Sequence, residues 1–527
     1  MTPQIEAFAK ELESGCPDDY HIVFDCLYRQ YKEHPEKIAL IFEGEQTSRY
    51  TFAQVYREVV KISQKLGSLK LSSGSRVLLR LPNEPDYAFA FFGVLLSGLI
   101  AVPLSPQLSD AEVTFIAKDC GASLLCVDSS SAIPADFPDE CQTLLLDKKT
   151  GLSLEDTSEE PLIWPENSLL HGKDTPAYLV YTSGTTGFPK GVLHAHRSVW
   201  ARRRMHVGWH QIQKEDIVLH AGQLNWTYTM GVGVFDSWVA GATCVLYGGP
   251  KDIRVWPSLF QKHQISIFAA VPTIYRQILK YCEEISVQGT QLLSSLRYGL
   301  TAGEALRPNL LARWKKATGL ELFEALGMSE CSTYISHCPG ERIVPGSSGK
   351  IQPGRKVSIL PVEGGENPVD VGESGLLAIH RDEPGLMLRY WHPEVKDTQT
   401  FRGDWFLGGD VVHLDEEGYI WFHGRNNDMM NAMGYRVSPL EVEKVLSAHP
   451  DILDVGVIEW QVREDVSVIA AFVVFRDGCD FVSEELHRWC EEQLAAYKCP
   501  RAWYQVASLP RTGSGKLKRQ ALGSMVS

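Results

Sequence analysis

Residues 181–192 read YTSGTTGFPKGV, a loop of glycine, serine, threonine and lysine directly after the apolar run 178–181. Glycine adopts backbone angles that are closed to other residues, and it carries no side chain that would block a ligand. The hydroxyl groups and Lys190 add hydrogen-bond donors and a positive charge. The composition therefore predicts a polyphosphate-binding loop between a strand and a helix-like segment. A plain flexible linker would not follow a strand so closely.

The spacing of this loop is not that of a Walker P-loop. The Walker pattern ends in a Gly-Lys pair followed by Ser or Thr. Lys190 follows a proline, and neither Lys190 nor Lys516 precedes Ser or Thr. The P-loop kinases and ATPases are therefore disfavoured.

Length and composition limit the class of protein. At 527 residues the chain is longer than one hydrophobic core usually supports, so we expect at least two structural units. A net charge of −14 argues against a nonspecific nucleic-acid binder. The 12 cysteines form no CxxC pair, which indicates reduced thiols rather than a zinc module or disulfide framework. The N-terminus lacks a signal-peptide pattern, so we expect a soluble, cytoplasmic protein.

Alternating apolar patterns indicate the organisation of the chain. Strand-like runs alternate with helical patterns as far as about residue 317, which predicts an α/β fold. The apolar run 87–102 is too short for a bilayer span and predicts a buried helix that leads into a strand. From about residue 344, short strand and turn signals indicate a β subdomain. A second boundary near Gly424 predicts a large N-terminal domain, residues 1–424, and a small α+β C-terminal domain, residues 425–527.

Further polar motifs follow the loop in the sequence. They are TAGEAL at 301–306, LGMSE at 326–330, Gly409-Asp410, Gly424-Arg425, MGYR at 433–436 and PRTGSGKLKR at 510–519. Carboxylates suit a Mg²⁺ ion that also binds phosphate oxygens, and they accept hydrogen bonds from a vicinal diol. Taken singly, Glu330 is more typical of a capping residue, Asp410 of a turn after a short strand, and Lys516 of a flexible tail.

In this order, the motifs resemble those of the acyl-adenylate-forming superfamily, which includes acyl-CoA synthetases, adenylation domains and luciferases. The resemblance covers nearly the whole chain and is greatest to the benzoate-CoA ligase and medium-chain acyl-CoA synthetase branches. It implies an AMP-binding domain, a mobile C-terminal lid, and the substrates ATP, coenzyme A and a carboxylic acid, with Mg²⁺. The implied reaction is an ATP-dependent acid–thiol ligation through an acyl-AMP intermediate, with release of pyrophosphate.

The resemblance also implies roles for individual residues. Lys516 acts on the carboxylate and the α-phosphate, Ser329 contacts that phosphate, and Glu330 holds Mg²⁺. Asn427 stands at the hinge position, where the family usually has Asp or Lys. The implied nucleotide- and CoA-binding residues are Thr182, Ser183, Gly184, Thr185, Thr186, Gly187, Lys190, Gly303, Glu304, Ala305, Leu326, Gly327, Asp410, Arg425, Gly434 and Arg436.

The acyl pocket is expected around the segment 225–231. Leu326 replaces an aromatic residue that often stacks on adenine, and the segment 460–468 lacks the usual Asp- and Gly-rich loop. Asp236 comes too late in the sequence to bind the amine of an amino-acid substrate, which favours an uncharged aryl or short- to medium-chain acid. The predicted pocket residues are Trp226, Thr227, Ala302, Gly327 and Met328.

Three alternatives remain open from the sequence. The first is an adenylating enzyme that loads a carrier-protein phosphopantetheine instead of CoA. The second is a catalytically inactive nucleotide-binding homologue, which the presence of Lys516, Glu330, Asp410 and Arg425 disfavours. The third is a luciferase-like oxygenase that shares the first step. No nucleic-acid partner or membrane span is expected, and the sequence permits a monomer or a homodimer.

Overall fold

The structure is a computed structural model. It describes residues 2–129, 131, 133–146, 164, 172–182, 189–250, 252–284, 293–304, 306–392, 400–432, 435–463, 466–476, 478–479, 482–511 and 517–526. The described chain divides into two compact units. Unit 1 comprises residues 1–343, 349–356 and 381–399, and unit 2 comprises residues 344–348, 357–380 and 400–527.

The strands follow one another along the chain as follows. They are β1 (Ile38–Glu43), β2 (Thr47–Thr51), β3 (Arg76–Arg80), β4 (Ile100–Pro103), β5 (Leu124–Val127), β6 (Gln142–Leu145), β7 (Pro176–Thr182), β8 (Lys190–Ala195), β9 (Ile217–His220), β10 (Thr243–Tyr247), β11 (Ile267–Ala270), β12 (Tyr298–Ala302), β13 (Leu322–Met328), β14 (Ser332–Ser336), β15 (Lys350–Ile351), β16 (Val357–Leu360), β17 (Gly375–His380), β18 (Arg389–Tyr390), β19 (Phe401–Arg402), β20 (Trp405–Leu414), β21 (Ile420–Arg425), β22 (Met430–Ala432), β23 (Tyr435–Val437), β24 (Ile452–Arg463), β25 (Val466–Phe475) and β26 (Ala502–Gln505).

The helices alternate with these strands. The α-helices are α1 (Pro3–Ser14), α2 (Arg29–Glu33), α3 (Phe52–Ser68), α4 (Pro85–Leu96), α5 (Asp110–Cys120), α6 (Arg197–Trp200), α7 (Arg203–Gly208), α8 (Ser237–Val239), α9 (Val255–His263), α10 (Pro272–Glu284), α11 (Pro308–Thr318), α12 (Pro439–Ser447) and α13 (Ser483–Glu491). The π-helical segments are Phe24–Tyr28 and Thr229–Asp236. The 3₁₀ segments are Asn426–Asp428, Ala496–Lys498, Arg519–Ala521 and Gly523–Met525.

Unit 1 contains two large mixed sheets with helical crossovers. One has nine strands in the order β15-β14-β13-β12-β11-β9-β10-β1-β2, and the other has seven in the order β18-β8-β7-β4-β3-β5-β6. Strands β4 and β5 are buried along their whole length, as parallel strands covered on both faces should be. This arrangement confirms the predicted α/β class.

The apolar run 87–102 is a buried helix followed by a strand, as predicted. Every residue from Tyr87 to Leu96 in α4 is buried, and the chain then enters β4. A Cβ placed on Gly93 would lie 2.6 Å from Cγ2 of Ile62 in α3, so glycine allows the close approach of these two helices. No helix among the described residues is long and apolar enough to span a membrane.

Unit 2 contains a five-stranded antiparallel sheet of β16, β17, β19, β20 and β21, and the three-stranded sheet β24-β25-β26. The Ser438 hydroxyl accepts a hydrogen bond from the backbone N–H of Glu441 and so caps α12. The Glu441 carboxylate accepts a hydrogen bond of 2.6 Å from the Lys498 ammonium. The predicted boundary at residues 424/425 is not among the unit boundaries given by contacts, and it stays a prediction.

One local prediction was wrong, and one strand is longer than expected. The segment after the polyphosphate-binding loop is strand β8, not a helix, because its apolar residues pair antiparallel with β7. The run 405–407, expected to be a short strand before Asp410, belongs to the ten-residue strand β20, and Asp410 lies within that strand, which disfavours the alternative of a turn-forming residue. In both cases pairing with a distant partner strand decides the local structure.

Candidate active site

The polyphosphate-binding loop joins two paired strands. Thr182 at the end of β7 is the register partner of Lys190 at the start of β8. The predicted loop positions Ser183, Gly184, Thr185, Thr186 and Gly187 lie outside the described residues. The Lys190 ammonium lies 5.9 Å from the centre of the Tyr390 ring, within the range of a cation–π contact.

Tyr390 also contacts the predicted metal ligand. Its hydroxyl donates a hydrogen bond of 2.7 Å to Oε1 of Glu330. Strand β18 pairs antiparallel with β8, so that Tyr390 is the register partner of Val192. The backbone N–H of Met387 donates to the Glu330 carbonyl at 2.7 Å. In unit 1, Lys190 and Glu330 therefore both contact Tyr390. The sequence analysis did not find Tyr390, because no local motif marks the two-residue strand β18.

The donor set at Glu330 suits a hard cation. A carboxylate with one oxygen held by a phenol hydroxyl is a typical oxygen ligand for Mg²⁺, which usually keeps several waters and substrate phosphate oxygens. Glu330 is the described residue that would hold such an ion. The hydrogen bond from Tyr390 fixes the orientation of its carboxylate, as supporting contacts do at metal sites.

Ser329 precedes Glu330 and is held by a buried histidine. His194 Nε2 lies 2.8 Å from the Ser329 carbonyl oxygen. Burial lowers the pKa of His194 to about 4, so its imidazole is neutral at physiological pH. Because a carbonyl can only accept, Nε2 carries the proton and donates it.

The segment 301–306 turns beside the pocket. Gly303 has a φ of +90°, and a Cβ there would lie 3.9 Å from the Trp226 ring. The Thr273 hydroxyl donates to Glu304 at 3.2 Å. The backbone N–H of Leu306 donates to the buried carboxyl of Glu324 at 2.9 Å, and burial raises the pKa of Glu324 to about 8. Ala305 lies outside the described residues.

Strands β13 and β14 approach closely where they meet the pocket. Leu326, Gly327 and Met328 lie on β13, and the register shifts between Leu326 and Gly327. A Cβ on Gly327 would lie 2.3 Å from the backbone oxygen of Ser332, so this position requires glycine. Ser332 itself has a φ of +64°, a conformation that non-glycine residues rarely adopt.

A cavity in unit 1 lies beside these elements and encloses about 30 Å³ of free space. Apolar side chains form much of its wall: Phe91, Val180, Leu224, Trp226, Met230 and Phe235. The polar lining includes Tyr178, His194, Ser198, Arg202, Thr227 and Ser332. Of the predicted pocket residues, Trp226 and Thr227 line this cavity. Ala302, Gly327 and Met328 are not among its lining residues, and their role stays a prediction.

The positive charge of Arg202 in the cavity lining is neutralised by Asp236 in a buried ion pair. Arg202 donates from Nε and Nη2 to the two carboxylate oxygens of Asp236, each at 2.6 Å. His210 Nε2 also lies 3.1 Å from Asp236. A Cβ on Gly231 would lie 2.4 Å from Arg202 Nη2, so the guanidinium packs directly on the backbone of the π-helical segment. Asp236 is therefore committed to Arg202, in agreement with the expectation that it does not bind a substrate amine.

Unit 2 carries the predicted ribose-binding residues. Asp410 and Arg425 are register partners across β20 and β21, and Arg425 Nε lies 2.9 Å from Asp410 Oδ1. The Asp410 carboxylate is almost completely buried, whereas the Arg425 side chain is 41% exposed. The pairing holds the carboxylate in place, as a bidentate acceptor requires.

The remaining predicted positions are only partly described. Lys516 and Gly434 lie outside the described residues, as do the side chains of Asn427 and Arg436. The residues that flank the Lys516 segment are held in unit 2, because Arg511 and Leu517 form an antiparallel bridge. Arg511 also pairs with Asp454 at 2.5 Å. These contacts hold Arg511 and Leu517, the described residues on either side of Lys516, within unit 2.

Comparison with known proteins identifies the family. Residues 27–391 match the family model described as AMP-binding enzyme, and residues 441–516 match the AMP-binding enzyme C-terminal domain. The chain is 29% identical over 509 residues to the acetyl-coenzyme A synthetase of Bacillus subtilis (strain 168), covering 92% of this chain and 87% of that protein. It is 30% identical over 504 residues to the mitochondrial acyl-coenzyme A synthetase ACSM5 of Homo sapiens, covering 90% and 84%.

Solved structures agree with this assignment. The crystal structure of the anthranilate CoA ligase AuaEII in complex with anthranoyl-AMP superposes with a TM-score of 0.85 at 30% identity, covering 97% of this chain and 98% of that one. The likeness therefore extends over nearly the whole of both chains. The chain belongs to the AMP-binding enzyme family, and it is an AMP-forming acid–thiol ligase.

Proposed function

We propose that this ligase converts an uncharged aryl or short- to medium-chain carboxylic acid to its CoA thioester, through an acyl-AMP intermediate and with release of pyrophosphate. The observation that carries the acid class is the cavity at Trp226. Its wall is largely aromatic and aliphatic, and the one buried cation among its lining residues in the described chain, Arg202, is neutralised by Asp236. Such a lining suits an apolar acyl group with few polar contacts.

The first step joins the acid carboxylate to the α-phosphate of ATP. Two anions approach each other, and negative charge accumulates on the phosphorus oxygens in the transition state. Fixed positive charge is therefore the main contribution that the protein can make. We assign this role to Lys516, with Lys190 at the leaving polyphosphate. Lys190 begins a paired strand, so its backbone is fixed relative to Tyr390 and Glu330.

Glu330 is the proposed ligand of a Mg²⁺ ion. When bound, the ion would neutralise phosphate charge and help to orient the leaving pyrophosphate. Tyr390 orients the Glu330 carboxylate through its hydroxyl. Ser329 is proposed to contact the α-phosphate, and the bond from His194 to its carbonyl fixes the backbone at that position.

Asp410 and Arg425 are proposed to bind the ribose, with the Asp410 carboxylate accepting from both hydroxyl groups. The second step is attack of the CoA thiol on the acyl-AMP carbonyl, with AMP as the leaving group. We propose that the C-terminal domain, hinged at Asn427, changes position between the steps, and that Gly434 then leaves room for the thiol.

The test is pyrophosphate release with MgATP and a panel of benzoates and aliphatic acids of two to ten carbons, with and without CoA. We expect release that depends on the acid and rises with CoA, together with AMP and a thioester. Release that is unaffected by CoA, with acyl-AMP accumulating, would point to a carrier-protein thiol instead. Turnover of dicarboxylic or amino acids in preference to uncharged acids would contradict the proposed acid class.

A further inference from the structure

His194 lines the acyl cavity, and one of its ring nitrogens is a buried acceptor without a partner among the described residues. The residue lies on β8, is 3% exposed, and its ring stacks on Tyr178 with 4.8 Å between centroids. Nε2 is the protonated nitrogen, because it donates to the Ser329 carbonyl. Nδ1 therefore holds a lone pair, and it has no hydrogen-bond partner among the described residues.

A buried acceptor without a partner is not compensated for the loss of its contact with water. Most buried polar side-chain atoms have a partner, and an unsatisfied one is destabilising. Protonation does not relieve this at neutral pH, because the imidazole is strongly desolvated. Nδ1 of His194 therefore keeps its lone pair at neutral pH.

The donor groups of Tyr178, Ser198 and Arg202, which line the cavity beside His194, are committed elsewhere. The Ser198 hydroxyl donates to the Ala195 carbonyl at 2.7 Å, so it accepts at 3.0 Å from the Tyr178 hydroxyl. Arg202 donates to Asp236 and to the Ser332 hydroxyl. These three residues therefore do not donate to Nδ1 of His194, and a group that enters the cavity can supply the donor.

We propose that the acid substrate carries a small hydrogen-bond donor, a hydroxyl or an uncharged amino group, that donates to Nδ1 of His194. This inference rests on the proposed function and narrows its substrate class. A second carboxylate is unsuitable, because it would face the lone pair while Arg202 is already neutralised by Asp236.

The experiment compares matched acids on the parent enzyme. The probes are benzoate and its ortho, meta and para hydroxy, amino and methyl derivatives, which differ in donor capacity at similar size. We expect kcat/KM for the best donor-bearing acid to exceed that of its methyl analogue by about tenfold or more. Equal or better use of the methyl analogue at every position would overturn the inference and indicate that a water satisfies Nδ1.

Two variants test whether the preference for donor-bearing acids depends on His194. His194→Phe keeps an aromatic ring against Tyr178 and removes Nδ1, so the donor-to-methyl ratio should fall to within about threefold even if all rates decrease. Tyr178→Phe keeps the stacked ring and removes a hydroxyl that is already paired, so the ratio should persist. A ratio that survives in His194→Phe, or that is lost equally in Tyr178→Phe, contradicts the role of His194.

Measurements of acid binding distinguish a failure of this inference from a failure of the proposed function. If no acid supports pyrophosphate release, the proposed function fails. Dissociation constants of the same acids, measured by calorimetry on parent and His194→Phe proteins, then decide the inference. The inference is supported if donor-bearing acids bind the parent more tightly than their methyl analogues and this preference is lost in His194→Phe. It is overturned if the affinity for the parent does not depend on the donor.

Discussion

The hydroxyl of Tyr390 donates a 2.7 Å hydrogen bond to the carboxylate of Glu330, while the ring of the same residue contacts the Lys190 ammonium. One side chain thus connects the start of β8, after the polyphosphate-binding loop, with the proposed Mg²⁺ ligand. The connection depends on the pairing of β18 with β8. A disturbance at Tyr390 should therefore affect metal and nucleotide binding together.

Tyr390→Phe tests this connection. The variant keeps the ring beside Lys190 and removes the hydrogen bond that orients Glu330. We expect the Mg²⁺ concentration for half-maximal pyrophosphate release to rise about tenfold, the lower end of the value of a hydrogen bond to a charged group. Tyr247→Phe is the matched control, because its hydroxyl bonds the Pro250 carbonyl on an exposed turn. An equal Mg²⁺ requirement in both variants would refute the orienting role.

The buried carboxyl of Glu324 predicts a pH-dependent stability. Burial raises its pKa from 4.5 to about 8. The unfolded chain releases this proton near pH 4.5 and the native chain only near 8, so the native state loses stability as pH rises between these values. Each unit of the shift corresponds to about 1.4 kcal/mol.

Glu324→Gln removes the ionisable proton and retains an oxygen for the N–H of Leu306. The melting temperature of the variant relative to the parent should therefore increase as the pH is raised from mildly acidic to about 8, as measured by calorimetry. Glu321→Gln, on the partly exposed neighbour that pairs with Lys315, serves as control and should show no such trend. A constant difference for Glu324→Gln across this range would contradict the raised pKa.

The Arg202–Asp236 pair makes a second prediction on stability. Asp236→Asn leaves the Arg202 charge buried without compensation, which typically costs about 3–5 kcal/mol. Although burial acts to raise the pKa of Asp236, Arg202 holds it well below its ordinary 3.8. The contribution of this ion pair to the free energy of unfolding is therefore present at neutral pH and is lost as the pH falls below about 4. Asp252→Asn, in an exposed pair with Arg254, should leave the denaturant midpoint unchanged. Similar midpoints for both variants would contradict the account.

Replacement by alanine should have opposite effects on the stability of the protein at two glycines. Gly327→Ala places a Cβ 2.3 Å from the Ser332 backbone oxygen, so we expect a loss of about 1–3 kcal/mol and reduced activity. Gly67 lies in α3, where an added methyl group would meet nothing within 4 Å. Gly67→Ala should therefore stabilise the protein by about 0.5–1 kcal/mol. Thermal unfolding of both variants checks the contrast, and destabilisation by Gly67→Ala would contradict it.

Local sequence patterns were sufficient to predict those helices and strands whose burial and ends are determined within one segment of the chain. The apolar runs at Leu124–Val127 and Val466–Phe475, each of which has the pattern of a strand, form strands. Helix α11 begins at Pro308, and its last turn is followed by Gly319 in the left-handed conformation, a common pair of helix start and stop residues. The order of the motifs also identified the family to which the chain belongs.

Long-range pairing decided the features that the sequence did not reveal. Strand β8 forms because its apolar residues pair with β7, and Asp410 lies within a strand because β20 pairs with its neighbours on both edges. Tyr390 and His194 acquire their contacts from segments far away in the sequence. No local periodicity carries that information, so these residues could be recognised only in the folded chain.

The most direct test of the central claim separates the two half-reactions in Lys516→Ala, with an acid that the parent enzyme uses. Acid-dependent exchange of pyrophosphate into ATP measures adenylation, and thioester formation from supplied acyl-AMP and CoA measures the second step. We predict a loss of at least about 100-fold in exchange, as removal of one transition-state charge contact commonly causes, with thioester formation within about threefold of the parent. Equal loss of both half-reactions would contradict the assignment of Lys516 to the adenylation step.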